Sequence, residues 1–234
     1  MSIHEFSGGR GGQFPNAPLV LGGTGALYGT FQTEVVYQWG GVFALSPPQA
    51  PATAWTFSRL YSFSGATDGE SPTAGLTIGP NGTLYGTTIF GGPGCGSDGC
   101  MGTVFSLTPP AEPGGTWKKM TLYSFKGGAN DGALPSSPGA NLAVASDGSL
   151  YGVTPNGGGT GCGNGCGVLF HLTPPAGGDA PWTETILHIF GASTDGQNPQ
   201  FAPAIDSNGV VYGVATGAGT ACGTTCGAVY QYIP

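Results

Sequence analysis

The sequence predicts an all-β fold, a four-bladed β-propeller built from four-stranded antiparallel blades. Three observations support this prediction: the 234-residue chain contains four copies of one sequence unit, each unit holds four short apolar segments, and turn residues separate those segments. No segment carries the 3.6-residue apolar period of an amphipathic helix, so we expect no helix longer than one turn. We therefore expect one domain over 1–234.

The four repeats share one order of elements. An aromatic segment of the LYSF type is followed by a glycine-rich turn ending in proline, a short segment with small residues, a Tyr-Gly strand, and a strand of the GTVFSLTPP type. The Tyr-Gly strands are marked by Tyr28, Tyr85, Tyr151 and Tyr212, which are 57, 66 and 61 residues apart. The repeats cover approximately 3–54, 55–116, 117–181 and 182–234.

The phase of the repeat predicts how the ring closes. Within a blade we expect the strand after the glycine-rich turn to be innermost, the Tyr-Gly strand second, the VF-type strand third and the LYSF-type strand outermost. The chain begins with an LYSF-type segment at 3–6 and ends after a VF-type strand at 228–233. We therefore predict that the N-terminal strand completes the last blade, which closes the ring and removes an open edge.

Composition excludes several classes of protein. Forty-seven glycines and twenty prolines would suggest disorder, but 39% hydrophobic and 11% aromatic residues supply enough apolar material for a core. The net charge is −7 and the five Lys and Arg residues are scattered. Because nucleic acid needs a basic stripe to neutralise phosphates, we expect no nucleic-acid partner. No apolar run approaches the roughly 18 residues of a spanning helix, so we expect no membrane insertion.

The six cysteines form three local pairs in the loop between the second and third strands of three repeats. The pairs are Cys95 with Cys100, Cys162 with Cys166, and Cys222 with Cys226. Because the three loops occupy the same position in their repeats, we expect each to be closed in the same way and predict three local disulfides. Structural zinc prefers CxxC knuckles that meet in one cluster, which disfavours a metal, and free thiols are the remaining alternative. Disulfides indicate an extracellular or periplasmic location, and we interpret the chain as a mature segment without its signal peptide.

Three Asp-Gly turns place a carboxylate at equivalent positions, Asp68, Asp131 and Asp195. In the first repeat Gly11 occupies this position. The predicted strand order puts these turns on the same face as the cysteine loops. Three inward carboxylates there could hold a calcium ion or the hydroxyls of a sugar. The alternative is that Asp before Gly forms an Asx-type turn. Beyond this calcium candidate we predict no cofactor.

The first repeat departs from the others in its loop between the second and third strands. Where its sister repeats carry Gly and Cys, it carries Glu34, Tyr37, Gln38 and Trp39, and Arg10 is expected on the same face. A carboxylate, an amide, an arginine and two aromatic rings suit a polar ring-shaped ligand such as a sugar. The alternative is that this loop packs against the neighbouring blade and needs no disulfide.

The quoted patterns, LYSF-x-G-x-x-DG-x-x-P, G-x-LYGTT and GTVF-x-LTPP, resemble the GloVer tandem repeat of environmental bacteria. The likeness extends over the whole chain and is strongest in the second repeat. The resemblance implies export and an array of propeller-like repeats. It implies no catalytic residues.

These observations together predict a secreted or cell-surface binding module that recognises carbohydrate or another surface polymer on the face with the Asp-Gly and cysteine loops. One alternative is a carbohydrate-active hydrolase or lyase in which Glu34 pairs with Asp68 or Asp195 as acid and base. Another is a structural subunit of a surface assembly. A raised-pKa carboxylate in a central pocket would favour the enzyme, whereas a wide aromatic patch would favour binding.

Overall fold

The computed structural model describes residues 2–8, 11–33, 38–93, 101–112, 114–135, 139–159, 162–177, 181–191, 196–217 and 227–234. Within these ranges the chain is almost entirely strand and turn, and its longest helical element is the 3-10 turn Pro80–Gly82. The all-β prediction is confirmed. The strands are β1 (Val20–Leu21), β2 (Leu27–Phe31), β3 (Gly41–Ser46), β4 (Thr56–Ser62), β5 (Thr77–Ile78), β6 (Leu84–Thr88), β7 (Thr103–Thr108), β8 (Lys118–Ser124), β9 (Gly132–Ala133), β10 (Ala143–Val144), β11 (Leu150–Thr154), β12 (Asn156–Gly157), β13 (Val168–Thr173), β14 (Thr183–Ile189), β15 (Ala204–Ile205), β16 (Val211–Thr216) and β17 (Gly227–Tyr232).

Three strands of one repeat and the LYSF-type strand of the next repeat form each of the first three antiparallel sheets. The first sheet has the order β1-β2-β3-β4, the second β5-β6-β7-β8, the third β10-β11-β13-β14 and the fourth β15-β16-β17. In the first three, the short strand after the glycine-rich turn lies at one edge, the Tyr-Gly strand is second, the VF-type strand third and the LYSF-type strand last. This is the order that the sequence predicts within a blade. The strands β9 and β12 pair separately.

The glycine of each Tyr-Gly strand makes room for an aromatic ring on the next strand. In the second sheet Gly86 lies opposite Phe105. A Cβ atom at Gly86 would lie 2.7 Å from Cζ of Phe105 and 2.9 Å from Cδ2 of Leu76. The ring therefore lies across the glycine, and the other sheets repeat the arrangement. Their pairs are Gly29 with Phe43, Gly152 with Phe170, and Gly213 with Tyr230.

The hydrophobic core lies at the junctions between successive sheets. At each junction the phenylalanine that follows an LYSF-type strand packs edge-on against the aromatic ring of the next sheet's third strand. Phe63 meets Phe105 with ring centroids 5.1 Å apart, Phe125 meets Phe170 at 5.2 Å, and Phe190 meets Tyr230 at 5.0 Å. All three phenylalanines are fully buried, so this repeated contact holds neighbouring sheets together.

The N-terminal segment occupies the same place against the first sheet. Phe6 packs on Phe43 with ring centroids 5.0 Å apart, the distance found at the other junctions, and His4 stacks on Phe57 at 4.6 Å. The fourth sheet has three strands, and no strand pairing between the segment and β17 occurs in the described ranges. Side-chain packing thus holds the segment where an outermost strand belongs. Ring closure and the four-bladed ring stay predictions.

Candidate functional site

The glycine-rich turns and the loops after the Tyr-Gly strands lie side by side on one face of the molecule, as the strand order predicts. Each turn pairs through its backbone with the loop of its own repeat. The paired residues are Gln13 with Thr33, Glu70 with Phe90, Ala133 with Asn156, and Gln197 with Thr216. We call this surface the loop face.

On the loop face the same backbone conformation recurs where one sheet meets the next. The residue before the proline of each glycine-rich turn has a left-handed φ of 50° to 55°, although none of the four is glycine. Three of these residues donate their backbone N–H to the carbonyl of the residue two positions before a third strand. Ser71 donates to Trp39 (2.8 Å), Leu134 to Met101 (2.7 Å) and Asn198 to Cys166 (2.7 Å). Equivalent side chains around these bonds therefore occupy equivalent places.

A groove of about 550 Å³ opens on the loop face between the second and third sheets. Met101 and Leu134 supply apolar side chains, Asn156 and Asn164 belong to its lining, and glycines make up much of the remaining wall. We call this cavity the junction groove. The groove lies on the face for which the sequence predicts ligand binding, and that binding stays a prediction.

The disulfide between Cys162 and Cys166 lies beside the junction groove. The two sulfurs are bonded, as predicted, and Cys162 together with Gly163 and Gly165 lines the cavity. The bond closes a five-residue loop and fixes the backbone that faces the groove. The other predicted pairs, Cys95 with Cys100 and Cys222 with Cys226, lie outside the described residues.

The first repeat's loop contributes Trp39, whose side chain is 40% exposed, and an exposed Gln38. The indole ring lies on Gly65, because a Cβ atom there would come within 2.8 Å of the ring's Cδ2 and Cε2 atoms. Trp39 therefore lies on the loop face beside the Asp-Gly turn of the second repeat. The predicted ligand residues Arg10, Glu34, Tyr37 and Asp195 lie outside the described residues.

Asp68 is bound by the protein's own donors at the junction between the first and second sheets. Its carboxylate accepts hydrogen bonds from Lys119 Nζ (2.9 Å), Tyr61 Oη (2.8 Å) and the backbone N–H of Ser64 (2.9 Å). Burial opposes ionisation of the carboxyl, but the hydrogen bond and charge of Lys119 outweigh it and lower the pKa of Asp68. Burial and the bond to Asp68 raise the pKa of Tyr61. This carboxylate holds two sheets together.

Asp131 occupies the same position at the next junction and is 6% exposed. It accepts hydrogen bonds from the backbone N–H groups of Lys126 (2.6 Å) and Gly132 (2.7 Å), so the carboxylate is held within its own turn. Glu184 stands where Lys119 stands at the previous junction, and its buried Oε1 has no hydrogen-bond partner among the described residues. Burial and the negative charge of Asp131 raise the pKa of Glu184 to about 7.

In the described part of the chain, no group of three or more His, Cys, Asp or Glu side chains could hold a metal ion. Likewise, no helix within the described ranges is long and apolar enough to cross a membrane.

Comparison with known proteins identifies the family. The model of the Gloeobacter/Verrucomicrobia repeat matches residues 1–232. The chain belongs to the Gloeobacter/Verrucomicrobia repeat family. The GloVer resemblance drawn from the LYSF, Tyr-Gly and GTVF patterns is thereby confirmed.

No curated protein matches this Gloeobacter/Verrucomicrobia repeat chain. Among solved structures it is similar to a crystal structure described as a putative gluconolactonase, with 14% sequence identity and a TM-score of 0.44. The similarity covers 85% of this chain and 56% of that one, so the repeat chain spans little more than half of its length.

Sequence reasoning on this repeat chain missed three residues of the loop face and its junctions. Phe90 is 43% exposed and pairs with Glu70, and Glu184 faces Asp131. Aligning the repeats position by position would have found them, since Phe90 takes the place of Asn156, and Glu184 that of Lys119 and Phe57.

Proposed function

We propose that this protein is a secreted or cell-surface binding module that recognises carbohydrate or another surface polymer on its loop face. The observation that carries the proposal is the junction groove, a cavity of about 550 Å³ on the face selected by the repeat pattern. A cavity of this size is within the range of small-molecule sites, and it would enclose one or two sugar units of a polymer.

The lining of the junction groove supports a ligand rich in hydroxyl groups. Asn156 and Asn164 each offer an amide that can donate and accept hydrogen bonds. Met101 and Leu134 add an apolar surface on which the C–H groups of a sugar ring would pack. Polar groups that fix orientation beside an apolar wall are the usual composition of a ligand site.

The disulfide supports the location. Disulfides persist in oxidising compartments, so the Cys162–Cys166 bond fits an extracellular or periplasmic protein. The fold that we propose for this module is the four-bladed ring closed by the N-terminal strand, and the packing of Phe6 on Phe43 supports it.

A matched pair of glycine substitutions tests the proposed function. Gly163 lines the groove, whereas Gly177 lies in the loop after β13 at the opposite end of the sheet. A Cβ atom at either position would meet no heavy atom within 4 Å, and neither has a left-handed φ. Leucine at both positions should therefore be tolerated by the fold.

We expect the wild-type protein and Gly177→Leu to bind the same polysaccharides on a glycan array, and Gly163→Leu to lose that binding because its side chain fills the groove. Equal melting temperatures would show that the fold is unchanged. Undiminished binding by Gly163→Leu would exclude the junction groove as the binding site, and no binding by the wild-type protein would overturn the proposed function.

A further inference from the structure

The junction between the first and second sheets repeats the geometry of the junction groove with different side chains. In the groove, Met101 accepts the backbone bond from Leu134, and Ala133 pairs with Asn156. At the preceding junction Trp39 accepts the corresponding bond from Ser71. There Glu70 pairs with Phe90 through backbone bonds of 2.9 and 3.3 Å. Trp39, Glu70 and Phe90 therefore stand where Met101, Ala133 and Asn156 line the groove.

These three side chains combine exposed aromatic surface with a carboxylate. Trp39 is 40% exposed and Phe90 is 43% exposed, and both lie at one junction, whereas the other strongly exposed phenylalanines, Phe14 and Phe201, belong to the glycine-rich turn of the first repeat and to the fourth repeat. Glu70 lies directly opposite Phe90, so the two side chains leave the same side of the backbone pair. Residues 70 and 71 are thus held between the two aromatic residues by backbone bonds on both sides.

We propose that Trp39, Phe90 and Glu70 form a second binding site, the aromatic groove, which takes a pyranose ring by its C–H face. The inference rests on the proposed function, because it names the chemical class of one ligand of the same loop face. Aromatic faces attract the weakly positive C–H groups of a sugar, and the carboxylate accepts hydrogen bonds from its hydroxyls. Since Glu70 is an anion, the sugar is neutral or cationic.

The two grooves differ in chemistry, so we expect them to contribute differently to the affinity for a ligand. The junction groove offers amides with one thioether, whereas the aromatic groove offers two rings and a charge-assisted acceptor. Stacking on exposed rings tolerates many sugars, because it needs an apolar ring face but no particular hydroxyl pattern. We therefore expect the aromatic groove to carry much of the affinity for gluco-configured chains, whose equatorial hydroxyls leave both ring faces apolar.

Isothermal titration calorimetry with a β-1,4-linked glucose hexasaccharide tests the aromatic groove. We expect Trp39→Ala and Phe90→Ala each to weaken binding at least tenfold, and Glu70→Gln about fivefold, because a neutral amide accepts a weaker hydrogen bond than a carboxylate. Trp39→Phe should stay within threefold of the wild-type protein, since it keeps a ring on Gly65. Glu112→Gln makes the same charge change in the proline-rich loop at the opposite end of the second sheet and should have no effect.

The outcomes separate this inference from the proposed function. Loss of binding in Gly163→Leu with unchanged binding in Trp39→Ala and Phe90→Ala would overturn the aromatic groove and leave the proposed function standing. Loss of binding in the two aromatic variants, with Gly163→Leu unaffected, would support the aromatic groove and overturn the role of the junction groove. A wild-type protein that does not bind the hexasaccharide would overturn the inference directly.

Discussion

A single glycine in each repeat decides whether the sheets can pack. At Gly86 the ring of Phe105 lies over the backbone, and the same ring then packs on Phe63 of the preceding sheet. A methyl group at Gly86 would displace the Phe105 ring, which also packs against the preceding sheet. The Tyr-Gly pattern is therefore a consequence of cross-strand packing, and turn formation plays no part in it.

We predict that Gly86→Ala lowers the free energy of unfolding by about 1–3 kcal/mol, the usual cost of adding a carbon to a filled core. Gly23→Ala is the matched control, because a Cβ atom there would meet nothing within 4 Å and its φ is not left-handed. Urea unfolding of both variants measures the effect. Equal midpoints for Gly86→Ala and the wild-type protein would contradict the packing argument.

The sequence shows that the Tyr-Gly pair recurs, but it does not show why. The reason depends on register, which places Gly86 opposite Phe105, and on the bulge between Val104 and Phe105. Similarly, the Asp-Gly pattern locates Asp68 correctly in a turn, but its main partner Lys119 lies 51 residues further along the chain. A local pattern predicts a turn, whereas such distant contacts require the packing of whole sheets.

At the scale of the elements, the last strand of each of the first three sheets directs one side chain to the chain segment at the preceding junction. These side chains are Phe57 on His4, Lys119 on Asp68, and Glu184 beside Asp131. The first contact is aromatic, the second is an ion pair with an N–O distance of 2.9 Å, and the third places two carboxyl groups together. The fold thus tolerates three chemistries at one position, and the third one is sensitive to pH.

We predict that Glu184 makes the wild-type protein lose stability relative to Glu184→Gln as the pH rises through the range of about 4.5 to 7. The pKa of Glu184 is about 7 in the folded protein and close to its usual value of 4.5 when unfolded, so the folded state binds the extra proton in this range. The stabilising contribution is complete below pH 4.5 and is lost as Glu184 ionises beside Asp131. Melting temperatures between pH 4.5 and 8 measure it. Glu184→Gln should flatten this dependence, and an unchanged slope would refute the assignment.

Replacing Glu184 with lysine should reproduce the ion pair of the previous junction. Glu184→Lys would place an ammonium group beside Asp131, which removes a repulsion and adds an attraction between partly buried groups. We expect a gain of up to about 1 kcal/mol in the free energy of unfolding at pH 7.5 relative to Glu184→Gln, which only removes the charge. Denaturant unfolding compares the two variants. A lysine variant less stable than the glutamine variant would contradict the equivalence of the junctions.

At the scale of the whole molecule, the repeated contacts suggest how the ends of the chain meet. The third and fourth strands of the complete sheets share one register, and aligning the fourth repeat with them places Val229 opposite His4. The equivalent pairs are Val42 with Tyr61, Val104 with Tyr123, and Leu169 with His188. Val229 is 79% exposed in the three-stranded fourth sheet, so pairing with the N-terminal segment would cover an apolar edge.

We predict that a protein carrying His4→Cys and Val229→Cys forms a disulfide between these positions within one chain, because ring closure brings them opposite each other. Non-reducing mass spectrometry of proteolytic peptides identifies the bond, and gel filtration shows whether it lies within a monomer. The control pairs Glu5→Cys with Val229→Cys, since neighbouring residues of a strand point to opposite faces and the bond should not form. A disulfide between two copies of the chain would indicate that the chains exchange their N-terminal strands, which contradicts closure within one chain. The absence of any disulfide between these positions would also contradict closure by this segment.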